Sequence, residues 1–115
     1  MTHVYLLRMT SAEVHSITEV NDLIVFQDEY KAIAVKNILN KFLELNSSII
    51  KGNAKEHNRL FYDNEESLTT LLSSYLDKED ASWLVREIGL NCYNDYMGIS
   101  MNGFYVTKLK NVEVN

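Results

Sequence analysis

Apolar and polar positions recur with two different periods along this chain, and the change from one to the other falls within Leu23–Leu45, LIVFQDEYKAIAVKNILNKFLEL. Leu23, Ile24, Val25 and Phe26 form a short, β-branched-rich apolar run. That composition favours a strand buried on both faces over a helical turn of the same length. Asp28 stands where an N-cap belongs, its carboxylate able to accept from the free amides of a first turn, and Glu29 complements the helix dipole. From there Ala34, Val35, Ile38, Leu39, Phe42 and Leu45 recur at helical spacing as one core stripe, with Lys36, Asn37, Asn40, Lys41 and Glu44 on the solvated side. Asn46, Ser47 and Ser48 end the pattern. The stretch predicts a strand, a capped turn and one long helix, and the rest of the chain is organised around it.

Upstream, Val4–Met9 (VYLLRM) is apolar on both faces and predicts a central strand. Thr10-Ser-Ala-Glu13 has the form of a capping box, so Val14 and Ile17 fit one or two helical turns. A rival reading makes Ile17–Val20 the first arm of a hairpin turning at Asn21-Asp22, and the segment is taken as irregular. Downstream, Ile49–Leu60 (IIKGNAKEHNRL) carries the weakest pattern, with a turn at Gly52-Asn53. Asp63 or Asn64 caps a second helix with the stripe Leu68, Leu71, Leu72, Tyr75 and Leu76. Asp77 caps a third, with core positions Ala81, Leu84, Val85 and Ile88 and a stop signal at Gly89. Tyr93–Met101 and Phe104–Val114 flank Asn102-Gly103, the strongest short hairpin signal in the chain. The expected architecture is α+β: an antiparallel sheet of about four strands with a long helix and two shorter helices packed on one face.

The chain has 115 residues, enough for one domain spanning 1–115 with its own core. A formal charge of −5 argues against a general nucleic-acid coat, which relies on basic surface to displace phosphate counterions. It leaves room for a basic protein partner. Cys92 is the sole cysteine, so neither an internal disulfide nor a cysteine-rich metal site is expected. No apolar run is long enough to span a membrane and no secretory signal pattern is present. A cytoplasmic protein is therefore expected, bacterial, or in the host cytoplasm if phage-encoded.

The stretches VYLL at the N-terminus, LIVFQDEYKAIAVKNIL and FYVTKLKNVEV, taken in that order, resemble small uncharacterised proteins of bacteria and their phages. In those proteins a first strand is followed by a strand, an acidic turn and an alanine-containing helix, and a final strand with an aromatic start closes the sheet. The match covers about half of this chain. Residues 46–94, with their helices, form an insertion relative to that pattern. The resemblance implies the α+β fold and a bacterial or phage setting, and it transfers no functional residue.

Candidate chemistry is sparse. His3, His15 and His57 stand at no metal-ligand spacing, and no local arrangement activates Cys92 or the serines. The acids Asp63, Glu65, Glu66 and Asp77, Glu79, Asp80 crowd two helix starts, where helix electrostatics alone would put them. A metal-dependent hydrolase built on Asp63, Glu65 or Glu66 is the least favoured option. No cofactor or metal is expected.

Two features remain. Trp83 falls on the polar face of its helix near Arg86, Glu87 and Leu90, and an aromatic on a charged face is a favoured interface anchor. Its ordinary alternative is burial beneath the C-terminal hairpin, near Tyr93 and Tyr96. Ile33 raises the same question on the long helix. In KGNAKEHNRLFY, Lys51, Lys55, His57, Arg59 and Phe61 interleave basic and aromatic groups as phosphate- and base-gripping segments do. The ordinary alternative there is a solvated loop.

The first expectation is a non-enzymatic interaction protein. Size, acidity and resemblance fit a phage-type inhibitor of a host defence or nucleic-acid-handling protein, with homodimer formation through an exposed Phe104–Val114 edge as a further mode. The second is a nucleic-acid or nucleotide binder using the Lys51–Tyr62 segment.

Overall fold

The computed structural model describes residues 3–13, 18–46, 54–91 and 99–110. Strands β1 (His3–Glu13) and β2 (Thr18–Phe26) precede the long helix α1 (Glu29–Leu45). Helices α2 (Ala54–Asp63), α3 (Glu65–Leu72) and α4 (Lys78–Asn91) follow, and strand β3 (Ile99–Lys110) closes the order. The described strands form a three-stranded antiparallel sheet in the order β2-β1-β3. The fold is therefore α+β, with the first strand central as its two apolar faces predict. Three described strands stand against the expected four or so, and four described helices against three.

Both miscounts have local causes. The Asn102-Gly103 signal does not make a hairpin. β3 runs through it, paired with β1 from Ile99 opposite Glu13 to Lys110 opposite His3. Thr10 faces Gly103 and Ser11 faces Met101, so Asn102 is the extra residue of a β-bulge. Gly103 has φ +146°, where glycine is favoured. The dipeptide's tolerance of positive φ is used, but to bend a strand. The β1 ladder offers β3 a partner for every residue from Ile99 to Lys110 except Asn102, which a short hairpin cannot match.

The segments expected to be irregular are also strand. Thr10–Glu13 extends β1 and does not cap a helix, and Asn21-Asp22 lies inside β2. Leu7 faces Ile24 while Arg8 faces Asp22, which makes Leu23 a second bulged residue. Leu23 is buried and Ile24 half-buried, both in the core cluster, so the bulge lets consecutive residues serve one face. Val14 and Ile17 lie outside the described residues.

In α1, Asp28 caps as expected: the Tyr30 N–H donates to its Oδ1 over 2.9 Å. The buried stripe is rotated from the expected one, to Ala32, Val35 and Leu39 with Ile38, Phe42 and Leu43 half-buried, while Leu45 is 74% exposed. α1 lies on all three strands and meets α3 and, through Phe42 and Phe61, α2, while α2–α4 pack on one another. Leu68 and Leu72 of α3 and Ala81, Leu84, Val85 and Ile88 of α4 join the same core cluster, whereas Leu71 is exposed. α2 escapes detection because only its last turn is apolar, supplying buried Phe61 and half-buried Leu60. α4 continues past Gly89 to Asn91.

Candidate interaction surfaces

Strand alternation sorts the sheet into two faces. Odd-numbered residues of β1 face the helices: Leu7 and Met9 are fully buried there, opposite Val106 and Phe104. Even-numbered residues of β1 point the other way, where no described helix packs. That open face carries Val4 and Leu6 from β1, Val20 and Val25 from β2, and Tyr105 and Leu109 from β3, by the observed register. Val25 is 56% exposed, and Val20 and Leu109 are exposed as well. Leu6 is buried between its cross-strand neighbours Val25 and Thr107 and lies outside the core cluster. Arg8 and Asp22 form a cross-strand ion pair on this face, Nε to Oδ1 over 2.8 Å. The face thus mixes these apolar side chains with Thr10 and Thr107 and one internally neutralised charge pair among the described residues. Sequence reading missed it because Val25 was assigned to a strand covered on both sides; the signal available was the alternation itself.

The second surface runs along the outer edge of β3. Asn40 of α1 reaches across to that strand with both ends of its amide. Its Nδ2 donates to the Phe104 carbonyl over 2.9 Å, and the Phe104 N–H donates to its Oδ1 over 2.9 Å. This side chain was expected on the solvated face; it acts instead as a one-residue substitute for a neighbouring strand. Beyond it, Glu29, Ile33 and Lys36 of α1 form the wall of a groove of about 490 Å³ whose floor includes Tyr5, Val106 and Lys108. The Tyr5 phenol is held above the usual tyrosine pKa, first by removal from water, then by its hydrogen bond to Glu29 and the negative charges of Glu29 and Asp28.

The residues singled out from sequence are scattered. Trp83 is 43% exposed, so it is not buried beneath other elements. Beside it on α4, Arg86 is exposed, donates weakly to the Ser82 carbonyl and lies 3.6 Å from Glu65. Glu87 is half-buried, and the side chain of Leu90 lies outside the described residues. In the Lys51–Tyr62 segment, Phe61 is 2% exposed with its ring 5.2 Å from that of Phe42. It belongs to the core, which corrects its assignment as a base-stacking residue. Arg59 is exposed and pairs with Asp63 one turn on, over 3.6 Å. Lys51 lies outside the described residues, as do the side chains of Lys55 and His57. Part of the segment is thus helix, not loop.

The acids at the α3 start line an open hollow with Thr69, Thr70, Lys78 and Ser82. Glu65 there is engaged by Ser82 and Arg86, and Asp63 by Arg59. No group of three or more His, Cys, Asp or Glu side chains among the described residues is placed to hold a metal ion. No described helix is long and apolar enough to cross a membrane.

Among the described residues, the fold is an α+β arrangement whose helices pack on one side of the sheet. Compared with known proteins, the chain matches no family model, no curated protein and no solved structure.

Proposed function

We propose that the protein is a non-enzymatic interaction module that binds another protein through the open face of its sheet. The observation that carries this reading is the apolar surface of Val20, Val25 and Leu109 around the Arg8–Asp22 pair, on the side opposite the helices. Exposed apolar side chains favour a contact there, because burying them releases about 25 cal/mol for each Å² removed from water. The net charge of −5 steers a basic partner toward the molecule. The resemblance to small bacterial and phage proteins adds the role of inhibitor of a host defence or nucleic-acid-handling protein. Trp83, with Arg86, Glu87 and Leu90, offers a separate contact on α4.

The test is capture from a nuclease-treated bacterial lysate with the wild type, Val25→Lys and Trp83→Ala, each checked by circular dichroism. The expected result is a protein held by the wild type and Trp83→Ala and lost with Val25→Lys. Loss with Trp83→Ala alone moves the contact to α4, and equal capture by all three refutes both placements. Capture that disappears with nuclease treatment supports the nucleic-acid alternative instead.

A further inference from the structure

We propose that the groove between α1 and the outer edge of β3 receives an extended, acidic segment of a partner protein as an added strand of the sheet. This surface is distinct from the open sheet face, and its test fails or succeeds independently.

Backbone geometry makes the groove a strand acceptor. The two hydrogen bonds from Asn40 show that the Phe104 N–H and C=O point away from β1. Antiparallel ladders alternate residue by residue, so the main-chain groups of Val106 and Lys108 point outward too. β3 is an edge strand, and no described strand lies beyond it. A chain laid about 4.8 Å outside β3 would satisfy these groups. Asn40 already holds those of Phe104 and therefore stops the added strand there, which fixes its register. The pairing then covers about five residues, roughly 17 Å of strand, from Val106 toward the end of β3.

The walls set the chemistry of the occupant. Side chains of β3 that pair with odd-numbered β1 residues face the helix layer, so Val106 and Lys108 lie on the α1 side. On α1, Ile33 and Lys36 are adjacent on the same flank, and all four residues line the groove. From Asn40 beside Phe104, the helix and strand positions run in step: Lys36 comes level with Val106, and Ile33 lies further on, toward Lys108. Alternate residues of an added strand would therefore each meet one lysine and one apolar side chain. Neither lysine has an ion-pair partner among the described residues. Glu29 at the far end is occupied by the Tyr5 phenol. The matching segment therefore carries acids at alternate positions: acid, any residue, acid.

The same charges disfavour a second copy of this chain. Pairing β3 edge to edge would bring Lys108 and Lys110 of both copies together, and like charges across a ladder repel. Dimerisation through this edge, expected from sequence, therefore runs against both the blocked Phe104 groups and the local charge.

The probe is a fluorescein-labelled heptapeptide with the core Glu-Thr-Glu, followed by anisotropy at low salt. A matched peptide with Lys in place of Glu is the control. The acidic peptide should saturate, with affinity falling by about tenfold for the control and for Lys36→Glu/Lys108→Glu. Amide hydrogen exchange of the wild type gives a second readout that needs no variant. The Val106 and Lys108 amides should exchange fast in the free protein and slow on peptide addition, while Tyr105 and Thr107, bonded to β1, stay slow throughout. Val25→Lys should leave both readouts unchanged, which separates this groove from the open face. The proposal is overturned by no saturation up to about 1 mM peptide, by equal binding of acidic and basic peptides, or by sedimentation showing that the edge is occupied by a second copy.

Discussion

Asn37 and Asn40 of α1 look alike in sequence, both on the polar side of the helix, and replacing each with alanine should move stability in opposite directions. Asn37 is exposed, with no hydrogen bond among the described residues. Its replacement removes a poor helix former, so Asn37→Ala should stabilise by up to about 0.6 kcal/mol. Asn40 makes two bonds of 2.9 Å to the main chain of Phe104 in a half-buried setting. A net hydrogen bond contributes about 1 kcal/mol, so two give about 2 kcal/mol. Offsetting the same helix-propensity gain leaves Asn40→Ala destabilising by about 1.5 kcal/mol. Asn40→Asp should cost at least as much at neutral pH, because a carboxylate can accept from the Phe104 N–H but faces the Phe104 carbonyl without a proton to donate. The assay is urea unfolding followed by circular dichroism. The midpoints should move apart by an amount worth about 2 kcal/mol, with the slope unchanged. Shifts of the same sign, or within about 0.5 kcal/mol of each other, would refute the idea that Asn40 stands in for a neighbouring strand.

Other consequences can be checked alongside. Gly103→Ala should destabilise by about 1–3 kcal/mol in the same urea assay, because φ is +146° and the new Cβ would lie 3.3 Å from the Asn40 Oδ1. Thr69 is 7% exposed and its Oγ1 has no partner among the described residues. Thr69→Val should therefore raise stability by about 1 kcal/mol, and a loss would show that the hydroxyl is satisfied. Phe61→Ala should cost about 3–5 kcal/mol, a core loss legible as a large fall in the unfolding midpoint, whereas Trp83→Ala should fall far short of it. The Tyr5 pKa is raised in the folded state, so its contribution is complete below the unfolded value of 10.0 and is lost as pH rises through the folded one. Tyr5→Phe should flatten the alkaline limb of a stability-against-pH profile, and an unchanged limb would refute the assignment.

Local sequence determined the parts whose physics is local. The Asp28 cap needs only one carboxylate and the amides two residues on, and it forms as read. The periodicity of α1, α3 and α4 follows from the 3.6-residue repeat and survives in all three, though the face that is buried was set by neighbours. The apolar character of β1 pointed to a central strand, and the order β2-β1-β3 places it there.

Tertiary structure decided what depends on partners far along the chain. Asn102-Gly103 could serve a turn or a bulge equally well by its own conformational freedom. β1, about 90 residues upstream, selects the bulge by offering pairing on both sides of it. Asn40 and Asn37 are equivalent until β3 arrives beside one of them. Phe61 departed from its expectation for the same reason, whereas Trp83 stayed exposed on the polar face. The periodicity around Phe61 is too brief to define a face, and only the packing of α2 near Phe42 buries it. Both proposed contact surfaces are products of assembly: one exists because the helices cover a single side of the sheet, the other because α1 runs beside an edge it only partly closes.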